Sequence, residues 1–298
     1  MQTSLWSEIR QFFFKGSALA RLVGINLLVF VGISLVRVVL YLFNQGEAGE
    51  AISHWLGISS NVHVILHRPW TLFTYMFLHF DLLHVLFNMV VLYVGGRLFS
   101  DFIGQGRLVP TYLFGGLAGG IVYVVSFNVF PAFEQVVSHA VAIGASASVL
   151  AIFIAIAVYM PNYQLPLLLL GRVRLKYIAL FFVVMDLISI DKGNPGGHLA
   201  HLGGALWGFA YASLLKKGRD PARLAGLWMD ALIRVFSRRP RLRVEYQRDR
   251  PVTDEEFNDR RAEDREKMNA ILDKISQRGY DSLSKQEKQF LFKMGDKP

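Results

Sequence analysis

The stretch His198-Leu199-Ala200-His201-Leu202-Gly203-Gly204-Ala205-Leu206-Trp207-Gly208 places two histidines in an apolar run that continues to Leu215. Such a run can enter a bilayer, where polar side chains are costly and by default indicate function. Gly204 and Gly208 lie four residues apart, a spacing that lets a second helix approach closely. The stretch therefore predicts a membrane helix that packs tightly against a neighbour and carries polar groups near its beginning.

The composition of the whole chain also predicts a membrane protein. Its 298 residues are 53% hydrophobic and 18% charged, less charge than a soluble domain of this size carries. No cysteine occurs, which excludes disulfides and cysteine-based metal or redox sites. Residues 216–298 hold 21 Lys and Arg against 15 Asp and Glu, so most of the net charge of +9 lies in the tail. Attraction to anionic lipid explains this tail more simply than nucleic-acid binding does.

Six apolar runs predict an all-α membrane protein with six membrane-spanning helices. The runs are 22–43, 82–98, 108–129, 143–159, 177–190 and 198–215. Several fall short of the roughly 20 residues that span a hydrocarbon core, which local thinning of the bilayer can accommodate. The fifth run is the least regular, because residues 165–170 add a second apolar piece before it.

Lys and Arg in the short connections predict the orientation of these helices. One side carries Arg10, Lys15, Arg21, Arg97, Arg107, Arg172, Arg174, Lys176 and the basic tail. Both termini are therefore expected in the cytoplasm. The long loop 44–81 then lies on the outer side, where we expect it to pack against the bundle or enter the interface.

Four segments follow from these patterns. We predict a cytoplasmic interfacial helix at 1–21, a six-helix domain at 22–215, a basic juxtamembrane linker at 216–252 and a small helical cytoplasmic tail at 253–298. In the tail, Thr253 with Glu256 and Ser284 with Glu287 have the spacing of capping boxes. The tail is therefore expected to contain two helices.

Polar residues lie near the outer ends of three predicted spans. His84 and Asn88 begin the second span, Ser146 the fourth, and His198 and His201 the sixth. At about 1.5 Å of rise per residue, these groups lie about 5 to 10 Å below the surface and can meet at one depth. Small residues on the fourth and sixth spans would let those helices come close, namely Ala147, Ala151, Ala155, Gly204 and Gly208.

These residue types suit acyl transfer. A serine such as Ser146 is a weak nucleophile until a base takes its proton, and His201 is suited to removing and returning that proton. His84 and Asn88 share a helix face, and both can donate hydrogen bonds to an oxyanion together with the Ser146 backbone amide. His198, one turn before His201, either supports the oxyanion region or faces the outer water.

As a set, these motifs resemble the pattern of rhomboid intramembrane serine proteases. The family has a His-x-x-x-Asn helix, a Gly-x-Ser-x helix and a His-x-x-Gly-x-x-x-Gly helix on the second, fourth and sixth spans. Here they read His84 to Asn88, Gly144-Ala145-Ser146-Ala147, and His201 to Gly208. The resemblance covers residues 20–215 and implies a six-helix rhomboid bundle.

The resemblance also implies roles for individual residues. Ser146 would be the nucleophile and His201 the base of a dyad that lacks an acidic third member. His84, Asn88 and His198 would stabilise the oxyanion and substrate, while Gly144, Ala147, Gly204 and Gly208 would provide packing at the site. Two positions depart from the family: Ala147 replaces a frequent glycine, and Arg68 precedes Trp70 instead of following it.

The implied activity is that of an intramembrane serine endopeptidase that cuts peptide bonds in or near transmembrane segments of other membrane proteins. By the same resemblance, we expect a multi-pass protein of the bacterial plasma membrane whose site opens to the outer face. Its partners would be transmembrane substrates and the lipid bilayer, with no nucleic acid. Loop 44–81 and loop 191–197 are candidate gates, with Gly193, Gly196 and Gly197 supplying mobility.

A catalytically silent rhomboid-like protein that binds membrane clients or aids their turnover is the alternative. A transporter is disfavoured because the chain lacks internal repeats. His198 and His201 have the spacing of metal ligands, but no His-Glu-x-x-His occurs and we expect no carboxylate from the nearby spans, so no metal or cofactor is predicted.

Overall fold

The computed structural model describes residues 16–167, 170–222 and 253–295, which form two compact units. The first unit precedes the segment 223–252 and the second follows it. The predicted interfacial helix at 1–21 and linker at 216–252 lie mostly outside the described residues.

The first unit is mostly helical. Its α-helices are α1 (Ala18–Leu42), α2 (Gly46–Leu56), α3 (Val62–His67), α4 (Thr71–Thr74), α5 (Leu82–Phe102), α6 (Leu108–Val129), α7 (Ser146–Tyr159), α8 (Leu175–Ile188) and α9 (Pro195–Lys216). A helix covers most or all of each predicted apolar run, in the order α1, α5, α6, α7, α8 and α9. Among the described residues, the segments Ala18–Leu42, Leu82–Phe102 and Gln105–Val129 are long and apolar enough to cross a membrane. The count of six spans stays a prediction.

Burial distinguishes the central helix from the peripheral ones. Every residue of α7 from Ala147 to Ala157 is buried, although the helix has only 14 residues. In contrast, α1 leaves Leu28 and Leu35 about three-fifths exposed, and such apolar side chains are suited to contact with lipid. Protein therefore surrounds α7 over most of its length.

Glycines bring α9 against α7. A Cβ atom at Gly204 would overlap the backbone of Ala147, and one at Gly208 would overlap that of Ala151. Gly203 faces α6, where a Cβ would approach the Gly119 Cα to 2.9 Å. Side chains at these positions would force the three helices apart, so the small residues set their spacing.

The loop between α1 and α5 packs against the rest of the unit. It contributes β1 (Ile58–Ser59), which pairs antiparallel with β2 (Val141–Ala142) just before α7. Ile58 and Ser60 are fully buried, and Ser60 donates a hydrogen bond to the carbonyl of Ala140 through its backbone N–H. The loop is therefore joined to the segment that leads into α7.

A β-hairpin replaces the second apolar piece that the sequence suggested before the fifth run. Strands β3 (Gln164–Leu167) and β4 (Gly171–Arg174) pair antiparallel, with Leu165 opposite Val173. Pro166 lacks a backbone N–H and disfavours a helix interior, while Gly171 adopts a φ of 70°. These two residues explain why the piece does not extend α8.

The connection between α8 and α9 is shorter than the predicted gate at 191–197. Asn194 caps α9 by accepting a hydrogen bond of 3.0 Å from the Gly197 backbone N–H, so the helix already begins at Pro195. A Cβ at Gly196 would lie 2.8 Å from the Tyr123 ring. Gly196 and Gly197 thus lie in the first turn of α9, where they serve packing and capping, and the mobility expected of the connection stays a prediction.

The second unit contains α10 (Asp254–Arg278) and α11 (Lys285–Gly295). The Thr253 side chain accepts a hydrogen bond from the Glu256 N–H at the start of α10. At α11 the capping box is reciprocal, because Ser284 and Glu287 each accept from the backbone N–H of the other. Lys274 of α10 donates to both carboxylate oxygens of Glu287, at 2.9 and 3.0 Å. This hydrogen bond from Lys274, and those from Ser284, lower the pKa of Glu287 to about 2.

Candidate active site

A cavity of about 230 Å³ lies between α5, α7, α8 and α9. Four residues that the sequence predicted as functional line it: His84 and Asn88 of α5, Ser146 of α7 and His201 of α9. The remaining lining residues are Phe87, Val91, Val149, Leu150, Phe182, Met185 and Asp186. The wall of the cavity is therefore mostly apolar and includes a small number of polar side chains.

Ser146 lies at the N-terminus of α7. The first hydrogen bond of this helix runs from the Val149 N–H to the Ala145 carbonyl, at 2.9 Å. The backbone N–H groups of Ser146, Ala147 and Ser148 precede it and carry the partial positive charge of a helix N-terminus. An oxyanion that forms beside Ser146 would meet these donors.

The segment before Ser146 is held by the loop between α1 and α5. The Gly144 N–H donates to the Tyr75 carbonyl at 2.9 Å, and the Ala145 N–H donates to Nε2 of His79 at 3.2 Å. Gly144 has a φ of 128°, and a Cβ there would lie 2.9 Å from Cε1 of His84. The position therefore requires glycine for both its backbone conformation and its space.

His79 is a residue of this site that the sequence reasoning missed. It is fully buried, and its Nε2 lies 3.1 Å from Nδ2 of Asn88. Burial, together with the nearby His84, lowers the pKa of His79 to about 4, so the ring is neutral and its Nε2 can accept hydrogen bonds. Since the Asn88 amide has two N–H donors, one remains for the cavity.

Asp186 is the second missed residue. Its Oδ1 lies 2.8 Å from Nδ1 of His201 and 2.8 Å from Nδ1 of His198. Asp186 lies on α8 and is only 7% exposed. The signal was present in the sequence, since an acidic residue in an apolar run is costly and by default suggests function.

The position of Asp186 corrects two expectations. Its carboxylate overturns the expectation that nearby spans offer no acid to His198 and His201. The atoms of Asp186, His198 and His201 that could bind a metal ion lie within 4.8 Å of one another. His198 is not among the residues that line the cavity with Ser146, and its Nδ1 lies 2.8 Å from Oδ1 of Asp186. The structure thus groups His198 with the acid and not with His84 and Asn88.

In the first loop, Arg68 and Trp70 both pack against the Trp55 ring. The Arg68 guanidinium lies 4.1 Å from the centre of the Trp55 ring and donates to the His54 carbonyl at 2.9 Å. The Trp70 indole stacks on Trp55 and donates to its carbonyl at 2.8 Å. Arg68 and Trp70 therefore stabilise the loop together, although their order differs from the family pattern.

Comparison with known proteins identifies the class. The Rhomboid domain family matches residues 66–218, just over half of the chain, and the chain belongs to the rhomboid family. It is accordingly a multi-pass integral membrane protein. Residues 253–294, which contain most of α10 and α11, match a family of unknown function, DUF6576.

Three relatives show the range of similar proteins. The chain is 30% identical over 161 residues to RHOMBOID-like protein 12, mitochondrial, of Arabidopsis thaliana, covering 51% of this chain and 48% of that protein. It is 28% identical over 179 residues to the human presenilin-associated rhomboid-like protein, mitochondrial, covering 55% and 42%. It is 24% identical over 221 residues to inactive rhomboid-related protein 2 of Caenorhabditis elegans, covering 68% and 59%. The chain thus spans about half the length of the curated relatives it matches.

Proposed function

We propose that the protein is an intramembrane serine endopeptidase with Ser146 as nucleophile and His201 as general base. The observation that carries this proposal is the shared cavity of Ser146, His201, His84 and Asn88, which come from three different helices. Membership of the rhomboid family supports proteolysis within the membrane at a coarse level. The residue roles come from the chemistry of the site.

The reaction begins with transfer of the Ser146 hydroxyl proton to Nε2 of His201 as Oγ attacks the carbonyl carbon of the peptide bond. The carbonyl oxygen becomes an oxyanion, which the Ser146 N–H, the Asn88 amide and the His84 imidazole stabilise by donating hydrogen bonds. His201 then gives its proton to the leaving amine, and the C–N bond breaks. Water then attacks the acyl carbon while His201 takes one of its protons. The bond between this carbon and Ser146 Oγ breaks, and His201 returns the proton to Oγ as the carboxylic acid product leaves.

The substrates are membrane proteins in which one segment unwinds near the site. Unwinding is needed because a helical backbone keeps its carbonyls in internal hydrogen bonds, where Ser146 cannot attack them. The cavity lies where α5 and α8 approach each other, and Phe87 and Phe182 meet edge to face there, with ring centres 6.5 Å apart. We propose that the segment reaches Ser146 past these two rings. Aromatic contacts of this kind are weak enough to open.

We also propose the predicted orientation, with six spans, both termini in the cytoplasm and the site toward the outer face. The basic residues of the short connections support it. A bacterial plasma membrane is the proposed location, on the resemblance of the tail to extensions of some bacterial rhomboids. The names of the plant and human relatives instead place those proteins in mitochondria.

One observation favours a second function. A relative from C. elegans carries the name inactive rhomboid-related protein 2. A catalytically silent protein that binds membrane clients would need none of the reactive groups. The presence of Ser146 and His201 on one cavity favours the protease.

The test compares substrate cleavage in proteoliposomes by the wild-type protein, Ser146→Ala and Ser148→Ala. The substrate is a single-pass membrane protein with small, helix-destabilising residues near its outer end. Ser148 is a matched control, because it lies two residues further on α7, where its buried hydroxyl has no hydrogen-bond partner within the described residues. The proposal predicts cleavage by the wild type and by Ser148→Ala only. Cleavage by Ser146→Ala would overturn it, and binding of substrate without cleavage by the wild type would support the silent protein.

A further inference from the structure

We propose that Asp186 is a positioning residue that orients His201, so that this rhomboid uses a Ser146–His201–Asp186 unit instead of a pair. This role rests on the proposed function, because it has a meaning only if His201 is the base. It departs from the family pattern of the sequence analysis, in which the serine and histidine act without an acid.

The first argument is the cost of the residue. Asp186 lies in the apolar helix α8 and is buried to all but 7% of its surface, where an ionised carboxylate is unfavourable unless it is paired. Its Oδ1 lies 2.8 Å from a ring nitrogen of each of two histidines. Both histidines belong to α9, so hydrogen bonds from that helix fix the position of the carboxylate and compensate for its burial.

The second argument concerns the tautomer of His201. A carboxylate only accepts hydrogen bonds, so Nδ1 of His201 must carry the proton that is donated to Asp186. In the neutral ring the lone pair then lies on Nε2, at the other side of the imidazole. This is the nitrogen that must be unprotonated to accept the Ser146 proton, because Nδ1 is occupied by Asp186.

The third argument concerns charge. When His201 takes the proton from Ser146, the ring becomes an imidazolium with N–H groups on both nitrogens. The negative charge of Asp186, 2.8 Å from Nδ1, stabilises this cation as it forms. Asp186 itself neither accepts a proton nor contacts the substrate in this scheme.

His198 has a supporting part in the same arrangement. It lies three residues before His201, on the same face of α9, and donates from Nδ1 to the same oxygen of Asp186. It therefore holds the carboxylate from a second direction without reaching the cavity. Its loss leaves the bond between Asp186 and His201 in place, so His198→Ala is expected to keep kcat within about fivefold of the wild type, the effect of one hydrogen bond.

The first experiment measures kcat and KM of Asp186→Asn in proteoliposomes, with thermal unfolding of the same preparation. We expect kcat to fall about 100-fold or more, because an amide neither fixes the tautomer nor stabilises the cation, while KM stays within about twofold. Asp191→Asn makes the same chemical change at an exposed residue after α8 and is expected to behave as the wild type. Asp186→Glu keeps the negative charge, and its kcat is expected to be at least about tenfold higher than that of Asp186→Asn.

A purely structural role for Asp186 gives a different result. If it only fastened α8 to α9, Asp186→Asn would lower the unfolding temperature and leave kcat of the folded fraction within about threefold of the wild type. That outcome overturns the inference. If Asp186→Asn is active in this way and Ser146→Ala is inactive, the inference fails but the proposed function stands. If Ser146→Ala is active, the proposed function itself is wrong.

The second experiment needs no substitution of Asp186. Nitrogen-15 NMR of histidine-labelled protein reports which ring nitrogen of His201 carries the proton, with His198→Ala used to assign the signals. We expect the tautomer with the proton on Nδ1, which the geometry of Asp186 requires. A neutral His201 with its proton on Nε2 would contradict the inference whatever the stability of the Asp186 variants.

Discussion

Gly144 and His84 lie in contact although they belong to different segments, and a Cβ atom on Gly144 would come within 2.9 Å of Cε1 and 3.2 Å of Nε2 of His84. The absent side chain therefore leaves the space in which the imidazole lies beside Ser146. Because Gly144 also has a φ of 128°, its backbone directs the chain into α7 in a conformation that other residues rarely adopt.

Gly144→Ala is expected to reduce kcat at least about tenfold, because the methyl group displaces His84 and the strained backbone shifts the start of α7 at a cost of about 1 to 3 kcal/mol. Cleavage kinetics and thermal unfolding measure the two effects. Gly171→Ala is the matched control, since Gly171 also has a positive φ but no other atom of the described residues lies within 4 Å of its Cβ position. Wild-type kcat in Gly144→Ala would show that the contact with His84 has no part in the reaction.

Gly204→Ala is expected to destabilise the helix bundle by about 1 to 3 kcal/mol, because the new methyl group would overlap the backbone of Ala147 and push α9 from α7. Gly32→Ala makes the same substitution in α1, where the described part of the chain places no atom within 4 Å of the new Cβ, and the stability of this variant should be unchanged or higher. Unfolding in a mild detergent, followed by tryptophan fluorescence, compares the two. Equal stability of both variants would contradict the packing described for α7 and α9.

Glu287→Gln is expected to loosen the second unit without affecting cleavage. The hydrogen bonds from Lys274 and Ser284 hold the pKa of Glu287 at about 2, below its ordinary value of 4.5. A depressed pKa means that the ion pair stabilises the fold above that ordinary value and loses its effect as the pH falls toward 2. Hydrogen exchange of the α11 amides in the full-length protein at neutral pH should therefore be faster in Glu287→Gln than in the wild type.

Glu263→Gln is the control for that measurement, because Glu263 is exposed on α10. Exchange in α11 should match the wild type in this variant. If both variants exchange alike, the pair of Lys274 and Glu287 does not hold the two helices together.

A metal chelator is expected to leave turnover by the wild-type protein unchanged. Asp186, His198 and His201 have the donor types and spacing of a metal site, but the proposed reaction uses Nδ1 of His201 to donate a hydrogen bond to Asp186. Turnover is measured after prolonged dialysis against EDTA, with elemental analysis of the same sample. Activity that disappears with the metal and returns with zinc would assign the three residues to a metal site instead.

The sequence predicted most of the helices because their apolar runs are continuous. The bounds of α6 match the predicted run 108–129, where Arg107 and Pro131 flank the apolar residues. The pairing of Ile58 with Ala142 could not be predicted, since it joins strands of two residues that lie far apart in the chain. Residues 165–170, which include most of β3, do not indicate a strand in the sequence because the half-buried residues of β3 alternate over only four positions.

The candidate site was predicted in part for a similar reason. Ser146, His201, His84 and Asn88 stand out because polar residues in apolar runs are costly, and all four line one cavity. Asp186 satisfies the same criterion, but it lies near the end of the run 177–190, whereas the other polar residues lie near the beginnings of their runs. His79 precedes α5 in a loop, where a histidine has no special meaning until its bonds to Asn88 and Ala145 are known.

The most direct measurement of the central claim is the site of covalent labelling by a fluorophosphonate probe, mapped by mass spectrometry of the purified full-length protein. The account predicts one adduct, on Ser146, with labelling that is lost in His201→Ala and kept in Ser148→Ala. Labelling at another residue, or undiminished labelling of Ser146→Ala, would contradict the assignment of Ser146 as the nucleophile.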